Sequence, residues 1–339
     1  MEEVRRRDLL RSAAGLASVA AVGSTAGCLD SVPFIGGSSG ALDAIPENAD
    51  ALMYANIDVI REDSGVETLT NAYLDRRSES DYYEGPEDFD EVLAEFEDES
   101  EIDPTKLHEI TAFSEFGGSD YETFEEYGAA IIDADLTAEN IKDSLENADN
   151  IDFEEAEHSG SVVYEPEEEG GPWVGALPSD QIVVGTEDAV HDAIDVKNGD
   201  EDPLEGELKE AYTSTREAPF RFATNMPDPD DSGSVPENSG SGDDSIDFSP
   251  LEDVNTVAGT VYRDGDIRGL EVTMNAEDES AAEDLTEMLN GVRDRLDEEI
   301  EDGDAEDILA DITIEQSGSS VTTSLEKTIA ELEELIEDA

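Results

Sequence analysis

The chain carries so many carboxylates that its folding depends on what screens them. Of its 339 residues, 92 are Asp or Glu and 18 are Lys or Arg, which gives a formal net charge of -74 at pH 7. Like charges at this density repel one another and oppose a compact state in dilute buffer. The apolar residues nevertheless recur at helix and strand periods along most of the chain, which favours a folded protein over an acidic disordered one.

Salt removes the conflict between charge and folding. At molar ionic strength the Debye length falls to about 3 Å, so most of the repulsion between surface carboxylates is screened. We therefore expect a body that folds at high salt. The same charge disfavours nucleic-acid binding, since a polyphosphate would meet a surface of its own sign. The only cysteine is Cys28, which excludes an intramolecular disulfide scaffold, and no pattern in the chain calls for a cofactor or a metal ion.

The amino-terminal residues are arranged like an export signal. Arg6 and Arg7 are followed by one further residue, two apolar residues and the basic Arg11, which matches the twin-arginine pattern. An apolar run rich in Ala and Gly then covers residues 12–26. At about fifteen residues the run is shorter than the roughly 20 that a membrane-spanning helix needs. Its length fits the apolar region of a signal peptide.

The end of that run resembles a lipobox, the acceptor site of bacterial and archaeal lipoproteins. Thr25, Ala26 and Gly27 directly precede Cys28, with Thr25 at a position where Leu is usual. With the twin-arginine pattern in front, the region resembles haloarchaeal twin-arginine (Tat) exported lipoproteins of an uncharacterised family. The resemblance implies the Tat translocase as a partner during export, cleavage before Cys28, and a two-chain lipid on its thiol, which suffices for stable anchoring in a membrane. The alternative is an ordinary cleaved signal followed by an incidental cysteine.

Composition and periodicity divide the chain into five segments. Residues 1–27 form the predicted signal peptide, and residues 28–41 form the lipidated cysteine and a flexible Gly- and Ser-rich tether. A first α+β lobe is predicted at 42–226 and a second at 251–339. Between them, residues 227–250 lose all apolar periodicity and are interpreted as a disordered acidic linker.

The fold class predicted for both lobes is α+β, with antiparallel sheets and helices packed on one face. A strand is predicted at 51–59, helices at 89–96 and 187–198, and a hairpin at Asp264-Gly265. The blocks 128–197 and 269–339 share the order strand, helix, paired strands, helix, which predicts two copies of a β-α-β-β-α unit. Chance resemblance between two ordinary α+β segments is the alternative.

Two residues in the first lobe are weighed as functional candidates. His191 has Glu187 and Asp195 one helical turn away on either side, a spacing that could surround a metal ion. Acidic residues are so frequent here that such a cluster is expected by chance, so we predict no metal site. Trp173, the only tryptophan, is either a recognition residue on a loop or the anchor of a hairpin, and the anchor is favoured.

The sequence therefore predicts a lipid-anchored protein on the extracellular face of the cell membrane of a halophilic archaeon. We expect it to be a non-enzymatic binding or envelope module with an unidentified protein or small-molecule partner. One alternative is a carrier of an apolar ligand, with a cavity lined by Leu285, Met288 and Leu289. Another is an extracellular hydrolase, which would need a nucleophile and a base in one pocket.

Overall fold

A computed structural model gives the fold of the chain. It describes residues 39–78, 83, 85–115, 127–149, 151–168, 170–226, 238–239, 246–299 and 308–338. The strands are β1 Ala51–Asn56, β2 Leu107–Ser114, β3 Gly128–Ala134, β4 Phe153–His158, β5 Ser161–Pro166, β6 Trp173–Ala176, β7 Gln181–Gly185, β8 Phe220–Asn225, β9 Asn238–Ser239, β10 Ile246–Asp247, β11 Val254–Asp264, β12 Ile267–Ala276, β13 Thr313–Ser317 and β14 Ser320–Thr328. The helices are α1 Ser39–Leu42, α2 Ile57–Arg61, α3 Ser64–Ser78, α4 Phe89–Ser100, α5 Ala138–Asp149, α6 Glu187–Asn198, α7 Glu207–Ser214, α8 Glu279–Glu299 and α9 Ile329–Asp338.

Twelve of these strands form one antiparallel sheet, in the order β13-β14-β12-β11-β8-β1-β2-β3-β7-β6-β5-β4. Strands from before and after residues 227–250 meet within it, because β8 pairs with β11. A row of directly paired side chains crosses this junction without a break. Its members are Ala258, Ala223, Leu52, Phe113 and Ala129, all of them buried. The two predicted lobes therefore share one continuous sheet.

The two sheet faces are covered by different helices. The row just described defines the first face, where α6 and α7 bury Ala193, Ile194, Leu208 and Tyr212 in the largest apolar cluster. Successive residues of a strand point to opposite sides, so Val257, Met274 and Val321, which are paired across β11, β12 and β14, lie on the second face. There they pack under α8, and Ile182 and Val174 pack under α5 on the same side.

These observations confirm the α+β class and the antiparallel pairing. The helices, however, cover both faces rather than the single face predicted, because adjacent strand residues such as Ile182 and Val183 are both apolar and both buried. A strand buried on both sides needs helices on both sides. The helix α3, which the sequence analysis does not predict, packs against α9.

The two halves of the sheet repeat one connection pattern outward from the central β1–β8 pair. In one half, β3 is followed by α5 and its chain returns so that β7 lies beside β3. In the other half, β12 is followed by α8 and β14 lies beside β12. In the first half three strands, β4 to β6, precede the returning strand β7, whereas in the second half only β13 precedes the returning strand β14. The order of elements is the one predicted for the repeated unit.

Two predicted boundaries move in the structure. Asn56 ends β1 and begins α2 by accepting the Val59 N–H at 2.9 Å, an N-cap that stops the strand three residues before the predicted end. Ala41, assigned to the tether, is 2% exposed and belongs to the largest apolar cluster. Most of the predicted linker at 227–250 lies outside the described residues, although Phe248 near its end packs against the apolar cluster under α8.

Candidate functional site

The residues predicted to direct export and anchoring precede Ser39, the first residue that the structure describes. Their roles therefore stay predictions. They are Arg6, Arg7, Thr25, Ala26, Gly27 and Cys28.

The most distinctive side-chain cluster in the described residues joins two of the three histidines. His158 ends β4, and His191 lies in the middle of α6. Their rings are stacked, with centroids 3.9 Å apart and planes 4° from parallel. Trp173, at the start of β6, presents its ring edge-on to His191 at a centroid distance of 5.0 Å. The three aromatic side chains thus bring two strands and a helix together at one point on the first face.

Asp195 ties this cluster to the tip of the β4–β5 hairpin. His158 Nε2 lies 2.9 Å from Asp195 Oδ2, and since a carboxylate only accepts hydrogen bonds, the imidazole nitrogen donates here. The hydroxyl of Ser159 donates to the other oxygen of Asp195. Asn198, one turn further along α6, donates from Nδ2 to the Ser159 carbonyl at 3.0 Å. Three hydrogen bonds therefore connect the hairpin tip to α6.

The surroundings shift the ionisation of these groups in defined directions. Burial lowers the pKa of His191, and the neighbouring His158 lowers it further, against the pull of Glu187, Asp195 and Asp188. His191 Nε2 is buried, and no hydrogen-bond partner for it is found in the described part of the chain. Burial acts to raise the pKa of Asp195, but the hydrogen bonds from Ser159 and His158 outweigh it and the net pKa is lowered. The cluster therefore favours an ionised Asp195 beside a neutral His191.

This geometry differs from that of a hydrolytic site. A serine nucleophile must lie within hydrogen-bond reach of its base, whereas Ser159 and His158 both bond to Asp195 instead. Within the described ranges, no group of three His, Cys, Asp or Glu side chains is placed to hold a metal ion. Trp173 packs against the largest apolar cluster, in the position expected of a hairpin anchor.

The third histidine lies in a separate ion-paired site. His108 is on β2, and its Nδ1 lies 2.8 Å from Asp58 Oδ2, while Nε2 lies 3.7 Å from Asp135. The hydrogen bond to Asp58 raises the pKa of His108, against the opposing effect of burial. Arg61 also bonds to Asp58 and donates to the Pro104 carbonyl. This site fastens α2 to β2 and the turn before it.

The residues named for an apolar cavity are core residues in the structure. Leu285 is fully buried and Met288 nearly so. Both belong to α8 and pack against Val254, Ala276 and Val321 of the sheet, and Leu289 of the same helix lies against this cluster. The first face of the sheet near β13 offers a different kind of surface, an open depression lined by Glu271, Glu315, Gln316, Ser317 and Thr322.

The sequence pattern indicates His191 and Trp173 as candidates but does not place His158 beside them. The signal available is the Ser159-Gly160 turn, which puts His158 at a strand end. Nothing in the sequence fixes the position of that hairpin against α6, because His158 and His191 are 33 positions apart and belong to different elements. None of the helices in the described ranges combines the length and apolarity needed to cross a bilayer.

Comparisons with known proteins return only distant structural similarity. No protein-family model matches the chain, and no curated protein matches it. Among solved structures, crystal form III of TP0453 has a TM-score of 0.45 and 9% identity, covering 89% of this chain and 99% of that one. Crystal form IV of TP0453 gives 0.45 and 10%, with coverages of 88% and 97%. The fold assigned here rests on the strand pairing of this chain.

Proposed function

We propose that the protein is a lipid-anchored, non-enzymatic binding or envelope module on the outer face of the cell membrane of a halophilic archaeon. One observation carries the proposal: the only cysteine of the chain follows Thr25-Ala26-Gly27 at the end of an apolar run that begins behind a twin-arginine pattern. Each element is common by itself, and their order and spacing together are those of an exported lipoprotein. Transport through the Tat translocase suits a chain that has to fold in concentrated salt before export.

The sequence behind Cys28 supports the anchor. The predicted tether contains the Gly- and Ser-rich residues 36–40, and Ala44 and Ile45, which follow it, are fully buried. A Gly- and Ser-rich linker of about the length of this tether has a root-mean-square reach of roughly 20 Å. A lipid on Cys28 would therefore hold the body near the membrane. The surface charge of the body would be repelled by anionic headgroups, which favours a module held off the bilayer by its tether.

The anchor is tested by changing the acceptor cysteine and following the protein in cells. We expect the wild-type chain in the membrane fraction of a haloarchaeal host, released by detergent and digested by protease added to intact cells. Cys28→Ser should appear in the medium or as a longer uncleaved precursor, because no thiol remains to receive the lipid. Unchanged size and membrane fractionation of Cys28→Ser would contradict the anchor.

The export route needs its own variant and a matched control. The double change Arg6→Lys and Arg7→Lys keeps the charge but removes the twin-arginine pair, and we expect an uncleaved intracellular precursor. Arg5→Lys makes the same chemical change one position outside the pair and should be exported normally. Export of the double variant at the wild-type level would refute the Tat assignment while leaving lipidation open to the Cys28→Ser result.

A further inference from the structure

The tip of the β4–β5 hairpin is attached separately from the body of the hairpin. In the body, Val163 belongs to the largest apolar cluster, and Phe153 and Tyr164 pack against the cluster under α5. β4 is the outermost strand of the sheet and pairs with β5 alone. β5 in turn meets β6 in only two paired positions, Val163 with Gly175 and Tyr164 with Val174. The tip is held against α6 by the three hydrogen bonds described above and by the stacked histidine rings. Loss of the tip contacts would therefore free the turn at residues 158–161, while the body of the hairpin stays packed on the sheet.

We propose that the stacked His158–His191 pair is a pH-sensitive clamp, which holds the tip of the β4–β5 hairpin on α6 at neutral pH and releases the tip when His191 takes up a proton. The arrangement disfavours a positive charge on His191. His158 is held in place by its contact with Asp195 at 2.9 Å. A proton on His191 would place a charge in a partly buried ring that is stacked 3.9 Å from His158.

The charged groups around His191 come from three directions. On its own helix, Glu187, Asp188 and Asp195 lie close enough to favour its charged form. From β4 it faces His158, and from β6 it faces the uncharged Trp173. Glu201, in the loop after α6, lies near Asp195 and His158. The three carboxylates on α6 raise the pKa of His191 by less than burial and His158 lower it, so the net pKa is lowered.

The sign of the pH effect follows from this lowered pKa. A histidine released into water has a pKa of about 6.5, whereas His191 in the closed clamp has a lower one. The open state therefore binds the proton more readily, and closing is disfavoured as pH falls below about 6.5. Across the interval down to the lowered pKa, the ratio of open to closed tip grows about tenfold per pH unit, as expected for one proton taken up on opening.

Trp173 gives a direct probe, since it is the only tryptophan in the chain and touches His191 edge-on. A protonated imidazole against an indole quenches its fluorescence more than a neutral one. We expect the emission of the full-length chain, titrated at constant high NaCl, to change in one step with a midpoint below 6.5. His191→Gln should remove the step. His108→Gln, which changes the histidine of the separate β2 site, should leave it in place.

A second variant separates the clamp from a simple loss of folding. His158→Gln can still donate a hydrogen bond to Asp195 but carries no charge, so it removes one cause of the lowered His191 pKa. Its fluorescence step should move to higher pH. Circular dichroism at pH 8 must match the wild type for each variant. A step that survives in His191→Gln, or that His158→Gln leaves in place, would overturn the proposal.

Opening itself is measured by amide hydrogen exchange across the same pH range. After correction for the intrinsic pH dependence of exchange, amides of residues 158–161 at the hairpin tip should lose protection as pH falls through the fluorescence midpoint, while those of β1 and β2 keep theirs. In His191→Gln this selective loss should be absent. A fluorescence step without loss of protection at the tip would show that His191 titrates inside a closed structure, and the clamp would be refuted.

Discussion

Neutralising Asp63 tests whether the parts of the chain before and after residues 227–250 form one cooperative unit. Asp63 lies between α2 and α3 and is 7% exposed. Its carboxylate pairs with Arg268 on β12, a residue 205 positions away that is 8% exposed. Arg263 on β11 approaches the other carboxylate oxygen at 3.7 Å. The perturbation is Asp63→Asn, which removes the charge but keeps an oxygen to accept the Gly65 N–H.

The magnitude follows from what remains buried. Removing one partner of a buried ion pair costs about 3–5 kcal/mol, since the other charge is left without compensation. Arg268 keeps its hydrogen bonds to the Gly265 and Ile267 carbonyls, which reduces the loss. We therefore expect about 3 kcal/mol, the lower end of that range. Screening by salt has little effect on this value, because the pair is buried.

Urea unfolding at constant high NaCl measures the effect, since urea does not change ionic strength. Asp294→Asn is the matched control, because its carboxylate is 74% exposed and pairs weakly with Arg293; it should change stability by less than about 0.5 kcal/mol. Combining Asp63→Asn with Arg268→Met removes the stranded charge, so the double variant should be less destabilised than the sum of the single ones. Stability of Asp63→Asn within 0.5 kcal/mol of wild type, or two separate transitions of which one is unaffected, would refute the reasoning.

Two further predictions concern pH and salt. His108→Gln should be most destabilising below about pH 6.5, and its effect should fade as pH rises through the raised pKa of His108, because a raised pKa gives stability only while the proton is held. Urea unfolding midpoints of the wild type and the variant from pH 5 to 9 check this, and a difference between them that stays constant with pH would contradict it. Folding should appear cooperatively as NaCl increases, because the charge of -74 needs screening. Circular dichroism over a NaCl series measures it, with sucrose as a non-ionic control, and a native spectrum in dilute buffer would argue against it.

Local elements of this fold are largely predictable from the sequence, and the exceptions have physical causes. α6 follows from its apolar spacing and from Gly199, whose φ of 81° ends the helix in the left-handed region. The β11–β12 hairpin follows from Asp264-Gly265. α3 escapes prediction because its buried residues, Gly65, Ala72 and Leu74, do not make the regular stripe of an amphipathic helix. Its position depends on α9 instead.

Long-range contacts are the part that sequence patterns do not specify. Strand periodicity tells which side chains share a face, but not that β1 and β8 meet at the centre of the sheet. The contact of His158 with His191 depends on the same unspecified strand order. β5, β6 and β7 separate β4 from α6 along the chain, and the sequence does not specify how these strands pair. The residues proposed to direct export and anchoring are the opposite case, because such signals are recognised as linear patterns and need no tertiary contact.

Three basic side chains tie elements of the fold together from buried positions. They are among the buried polar residues of the described structure, where Asp63 is the only buried carboxylate. Arg221 donates to the Tyr212 carbonyl and to Thr215, Arg268 pairs with Asp63, and Lys327 pairs with Asp311. Each tie joins a strand to another segment, so these three cations act inside the fold and do little to neutralise surface carboxylates. The repulsion among those carboxylates is therefore the part of the energetics that we expect added salt to reduce, whereas the buried ties should be almost insensitive to it.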